Sequence, residues 1–196
     1  MSEKPDFLVQ GERARLFPVL ADTSKEGRTL SIVLACMEMV EDFGKALLSD
    51  LGVKAGARSR LEAYTEVVLR KGGDSKIRPD GLLVLRSGAN RWSALVEAKV
   101  GGSDLDSGQI EAYLELAKAN GIDALLTISN QFAPIPSHHP VQVAAASLRK
   151  ASLSHFSWMY VLTQATLQLQ GDDVSDREQR VILNELVRFL SHPSVG

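Results

Sequence analysis

Residues 77–102, IRPDGLLVLRSGANRWSALVEAKVGG, place three charged side chains inside what otherwise reads as a hydrophobic β-hairpin. The run Gly81–Leu85 makes a first strand and Trp92–Val100 a second, with the turn formers Ser87, Gly88, Ala89 and Asn90 between them. Putting Asp80, Glu97 and Lys99 in such surroundings is costly unless the charges are paired or used. Strand side chains alternate, so Glu97 and Lys99 project from one face and Ala98 from the other. Pro79 has no amide to donate and marks a strand boundary, and antiparallel pairing across the turn then brings Asp80 toward Glu97. Two carboxylates so held repel each other, or one takes up a proton, unless a cation lies between them. A hard divalent ion such as Mg²⁺, which takes one or two carboxylates and keeps several waters, suits that place.

Pro79-Asp80 and Glu97-Ala98-Lys99, with 16 residues between Asp80 and Glu97, resemble the PD and ExK motifs of the PD-(D/E)XK nuclease superfamily. Further on, Gln109-Ile110-Glu111-Ala112-Tyr113 resembles the QxxxY motif of its RecB-like and lambda-exonuclease-like branch. The resemblance implies an α/β fold with a restriction-endonuclease-like α-β-β-β-α-β core, a mixed four-stranded sheet flanked by helices, here extended by two C-terminal helices. It also implies catalysis by Asp80, Glu97 and Lys99, with Mg²⁺ or Mn²⁺ held by Asp80, Glu97 and the backbone carbonyl of Ala98. Gln109 and Tyr113 would orient the site and the substrate backbone, and the partner would be nucleic acid, DNA first.

In that superfamily an acidic residue of the first core helix often joins the metal site, and Glu26 is the candidate here. The residues themselves leave it open, because Thr23-Ser24-Lys25-Glu26 also reads as a capping box in which Glu26 returns to the Thr23 amide. Glu38 and Glu41 lie further from the apolar stripe. Glu66 is a second acidic candidate, with an exposed edge-strand glutamate as the plainer account.

The rest of the chain supplies the elements. Residues 1–22 read as an irregular lead-in. Glu26, Leu30, Val33, Met37, Val40, Gly44, Leu47 and Leu51 recur at alternating spacings of four and three, one face of a single long helix with Gly52 as its stop. Ala63–Arg70 alternates as a strand, and Lys71-Gly72-Gly73-Asp74 is a hairpin turn. Asp106 caps a helix over Ser107–Asn120 with Ile110, Leu114 and Ala117 buried, Gly121 ends it, and Ile122–Ser129 is a buried strand. Asn130 and Gln131 follow with no assigned role. The loop Phe132–Pro140 has three prolines and carries His138-His139 as a surface pair. Val141–Ser147 reads as another strand. A helix over His155–Gln170 and one capped by Ser175-Asp176-Arg177-Glu178, running to Leu190 and stopped by Pro193, cover the sheet or form a dimer face.

At 196 residues, with 44% hydrophobic and 23% charged side chains, the chain suits one domain over 1–196, its core at about 24–130 and a helical elaboration at about 141–196. The lone Cys36 excludes a disulfide framework or a cysteine metal cage and fits a reducing cytoplasm. The charged N-terminus and the absence of a long apolar run argue against secretion and membrane insertion. A net charge of −2 argues against gripping nucleic acid by bulk charge, although residues 54–91 hold nine basic against four acidic side chains. The leading expectation is a DNA-directed metal nuclease of repair, restriction or defence. A non-catalytic binding module that keeps the fold and a hydrolase of another phosphate ester are the alternatives.

Overall fold

The computed structural model of the chain describes residues 4–18, 25–71, 77–149, 151–171, 174 and 176–192. The elements run β1 (Leu8–Arg13), α1 (Lys25–Met39), α2 (Glu41–Asp50), β2 (Arg60–Leu69), β3 (Gly81–Ser87), β4 (Asn90–Ala98), α3 (Ser107–Asn120), β5 (Ala124–Ser129), β6 (Ser152–Ser157), α4 (Trp158–Gln170) and α5 (Arg177–Leu190), with a 3-10 turn at Ser147–Arg149. The strands lie in sequence order in one six-stranded sheet. The first four pair antiparallel, and β5 and β6 continue parallel to β4, so the α/β class and the mixed sheet expected from the sequence are present.

Leu83, Val96, Ala98, Leu126, Ile128 and Phe156 pack on one side with the first two and last two helices. On the other side Leu82, Val84, Leu95 and Leu125 pack with Ile110, Leu114 and Ala117 of α3. Strands covered on both faces read as unbroken apolar runs, which is why β3, β4 and β5 were legible. The cap predicted for α3 is present, the Asp106 carboxylate accepting from Gln109 N at 2.8 Å. Gly121 ends that helix at φ +66, a left-handed conformation that glycine adopts without a Cβ penalty.

The α-β-β-β-α-β order with four strands is not what the chain builds. Two strands were missed. β1 lies in the stretch expected to be irregular, and its burial does not alternate because the pairing with β2 slips twice, at Leu8/Gln10 and at Gln10/Glu12. β6 takes the residues expected to open a helix, so α4 starts at Trp158 rather than His155, with the Ser157 hydroxyl capping Tyr160 N at 3.0 Å. Val141–Ser147 is no strand; the chain there is irregular up to the 3-10 turn.

The single long helix is two. Val40 takes extended angles (φ −106°, ψ 95°) between them, and α2 turns onto α1 at Gly44, where an added Cβ would stand 2.1 Å from the Met37 carbonyl oxygen. The apolar period runs unbroken through this bend, so periodicity alone could not reveal it. At α5 the cap is Asp176, accepting from Gln179 N at 2.9 Å. Leu183, Leu186 and Leu190 are its buried residues, with Ile182 and Phe189 partly buried against the same core. Thr23 and Ser24 of the first capping box, Ser175 of the second, the turn residues 72–74 and Pro193 lie outside the described residues. Among the described residues no helix is long and apolar enough to cross a membrane.

Candidate active site

The hairpin register brings the carboxylates together. Gly81 pairs with Val96 and Ser87 with Asn90, so Asp80, one step before the ladder, stands opposite Glu97. Its Oδ2 accepts the Ala98 amide at 2.9 Å. Glu97 shares the parity of Leu95 and faces the α3 layer, its side chain 2% exposed. Lys99 Nζ donates to Glu97 Oε1 at 2.7 Å and lies 4.0 Å from Glu26 Oε2 of α1. The lysine backbone is held on both sides: its amide donates to the Ile128 carbonyl at 2.8 Å, and its carbonyl accepts Trp158 Nε1 at 2.7 Å.

From α3, Gln109 Nε2 donates to Tyr113 Oη at 3.1 Å, and the Tyr113 hydroxyl donates to the Arg78 carbonyl at 2.9 Å. That bond secures the Arg78-Pro79-Asp80 segment to the helix. Asp80, Glu97, Lys99, Glu26, Gln109 and Tyr113 are therefore all drawn to one end of the sheet, with Ala98 as the last residue of β4.

The electrostatics follow from burial. Desolvation, then the charge of Glu97, pushes Asp80 up to about 7, against the Ala98 hydrogen bond and the Lys99 charge. Burial and the same Glu97 charge raise the Tyr113 phenol. Burial pulls Lys99 down, but its bond to Glu97 and the charges of Glu97, Glu26 and Asp80 outweigh this and raise it above the ordinary lysine value. Glu97 Oε2 is buried with no hydrogen-bond partner. One ammonium thus stands beside a buried and a half-buried carboxylate, an arrangement a hard divalent cation fits, since such an ion needs only one or two carboxylates and completes its shell with water. No group of three or more His, Cys, Asp or Glu side chains forms a metal cage among the described residues.

Of the other acidic candidates, Glu38 and Glu41 fall elsewhere and Glu66 borders the site. Glu38 pairs with Arg13 and accepts the Ala63 amide at 3.0 Å, and Glu41 pairs with Lys45; neither joins the site. Glu66 is exposed at φ +53 and lines a cavity of about 280 Å³ with Gln10, Glu26, Thr65, Arg78 and Asp80. A cavity of about 400 Å³ beside α2 involves Glu38, Glu41, Lys45 and Arg60 and none of the motif residues. Among the described residues, the basic excess of residues 54–91 does not gather at the site. Arg60, Arg86 and Arg91 sit at the far end of the β2–β3–β4 ladder, Arg86 bonded to Glu62 and Arg91 to Asp6, and among the described residues of that stretch Arg78 is the basic side chain that lines the cavity.

Sequence reasoning missed Gln10, Thr65, Trp158 and a buried histidine network. His155 is 1% exposed. Its Nε2 lies 2.9 Å from the Gln131 carbonyl and its Nδ1 2.8 Å from Thr127 Oγ1, which is also 2.8 Å from His139 Nε2. A carbonyl only accepts, so His155 Nε2 carries the proton, Thr127 donates to His155 Nδ1, and His139 Nε2–H donates to Thr127. His138 is exposed as expected, but His139 is half-buried and part of this chain. Asn130 Nδ2 donates to the Gly101 carbonyl at 2.8 Å and Gln131 Oε1 accepts Leu105 N at 3.4 Å, tying the end of β5 to the loop after Lys99.

Fold and site together define an α/β protein with a mixed six-stranded sheet and, at one end of it, an Asp–Glu–Lys cluster of which Glu97 is buried and Asp80 and Lys99 are half-buried. The chain matches no family model, no curated protein and no solved structure.

Proposed function

We propose that the chain is a metal-dependent nuclease of the PD-(D/E)XK kind, with the QxxxY pair, that hydrolyses phosphodiester bonds of DNA in repair, restriction or defence. One observation carries the reading: the residues that match the PD, ExK and QxxxY motifs converge within hydrogen-bond reach of one another or of the Arg78–Asp80 segment, with Glu26 of α1 4.0 Å from Lys99 Nζ. Asp80 and Glu97 would hold Mg²⁺ or Mn²⁺, with the Ala98 carbonyl and Glu26 as further ligands. When bound, the ion would lower the pKa of a coordinated water and offset charge on the phosphate. Lys99, held on Glu97 and anchored through its backbone by Trp158, presents an ammonium to the phosphoryl oxygens, where developing charge is greatest. Tyr113 and Gln109 keep the Asp80 segment in place through the Arg78 carbonyl. The buried, orphaned Glu97 Oε2 supports a ligand role, because an unpartnered buried carboxylate oxygen is otherwise a net cost.

Calorimetric titration of Mg²⁺ and Mn²⁺ into wild type, Asp80→Asn and Glu97→Gln, with cleavage of single- and double-stranded DNA assayed in the same buffers, tests this. Metal binding and cleavage should be lost together in both variants. Featureless titrations and no cleavage in all three proteins would overturn the proposal and favour a non-catalytic binding module.

A further inference from the structure

The proposed chemistry leaves one wall of the Asp80 cavity unused. That wall is built by the irregular pairing of β1 with β2. On β1, Gln10 lies between the two register slips; on β2, Glu66 sits in the left-handed region at φ +53, a conformation side-chain-bearing residues seldom adopt. Bulges re-aim side chains, and here both turned residues line the cavity that Glu26 and Asp80 line. Neither Gln10 nor Glu66 hydrogen-bonds or ion-pairs through its side chain with any described residue, unlike Glu38, Glu41 and Glu62 nearby. Two exposed polar side chains without partners among the described residues, one on an edge strand and one at a strained position within its neighbour, thus share a cavity with Glu26 and Asp80.

We propose that Gln10 and Glu66 are specificity-determining residues that grip a hydrogen-bond donor of the nucleoside next to the scissile phosphate. A carboxylate only accepts, so Glu66 selects a donor and repels a bare phosphate; the Gln10 amide adds a donating NH2 and an accepting carbonyl beside it. Nucleosides offer donors of two kinds, a sugar hydroxyl and a base N–H, the latter being the exocyclic amine of adenine or the ring imino N–H of uracil. The inference rests on the nuclease reading and adds what the site reads in its substrate.

The test is fluorescence anisotropy with labelled oligo-U, oligo-dU and oligo-dA, with Ca²⁺ replacing Mg²⁺, on wild type, Gln10→Ala and Glu66→Gln, each checked by thermal unfolding. If a hydroxyl is read, wild type prefers oligo-U to oligo-dU; if a base N–H is read, it discriminates between the deoxy strands, favouring oligo-dA for the exocyclic amine or oligo-dU for the imino N–H. In either case each substitution should weaken the preferred strand about tenfold, the scale of one charge-assisted hydrogen bond, and collapse the preference. The slope of affinity against salt should not change, because no phosphate contact is removed. Wild type without preference, variants that keep it, or a fall in Mn²⁺ affinity in Glu66→Gln, which would make Glu66 a metal ligand, each overturns the proposal. Wild type that binds and cleaves no polynucleotide overturns the nuclease reading, and this inference with it.

Discussion

Asp80, Glu97 and Lys99 show how a few residues can be legible before any fold is known. Charges in an apolar hairpin demand a reason, and strand parity plus antiparallel pairing already put them side by side, as their observed contacts do. Glu66 shows the opposite case. Its residue type allowed both a site role and an exposed edge, and only its backbone angle and the cavity it lines separate it from an ordinary surface glutamate. A residue bearing a Cβ in the left-handed region costs of order 1–3 kcal/mol, and glycine there loses part of the gain to the entropy of the unfolded chain. Glu66→Gly should therefore stabilise the protein by about 1 kcal/mol, read as a higher urea midpoint with an unchanged slope. Loss of stability would show that the Glu66 side chain makes a compensating contact. Stability gained together with substrate discrimination lost would mark strain retained for function.

Among the elements, those whose signals are local were the readable ones. The hairpin carries its turn residues between two apolar runs, and α3 carries Asp106 before it and Gly121 after it. The bend between α1 and α2 has no such marker, since the apolar stripe keeps its period through Val40 and Gly44 looks like any helical glycine. Its role appears only in the close approach to Met37. Gly44→Ala would place a methyl group against that carbonyl, with Leu61 close behind, and backbone cannot step aside as a flexible side chain can. It should cost about 1–3 kcal/mol, the range for overpacking a core, and lower the urea midpoint without altering far-UV helicity. An unaffected midpoint would mean the two helices can part without penalty. β1 and β6 were invisible for a related reason: an edge strand with slipped register and a strand reading Ser-Leu-Ser-His-Phe-Ser lack alternation strong enough to stand out.

At the scale of the whole molecule, the histidine network ties β5, β6 and the crossover loop between them into one unit. Burial lowers the His155 imidazole from 6.5 to about 4, against the Gln131 hydrogen bond, and lowers His139 as well. For a depressed folded value the unfolded chain binds the proton first on acidification. The stability is fully present above about 6.5 and is lost as pH falls toward 4, up to about 3 kcal/mol for His155. Urea denaturation of wild type and His155→Gln at pH 7 and pH 4.5 checks this: the advantage of wild type should shrink at the lower pH. An advantage that holds at pH 4.5 would mean the ring titrates normally or is not buried when folded.

Sequence by itself determined the α/β class, the central hairpin, α3 with both its ends, β5, and the grouping of Asp80, Glu97 and Lys99, because each rests on interactions between residues near in the chain or on strand parity. Tertiary structure alone decided that the sheet has six strands, that the first helix bends at Val40, that His139 meets His155 through Thr127, and that Gln10 and Glu66 share a wall with Asp80. These depend on which distant segments pack together. The gain from that packing belongs to the pair of surfaces rather than to either segment, so neither segment's residues announce it.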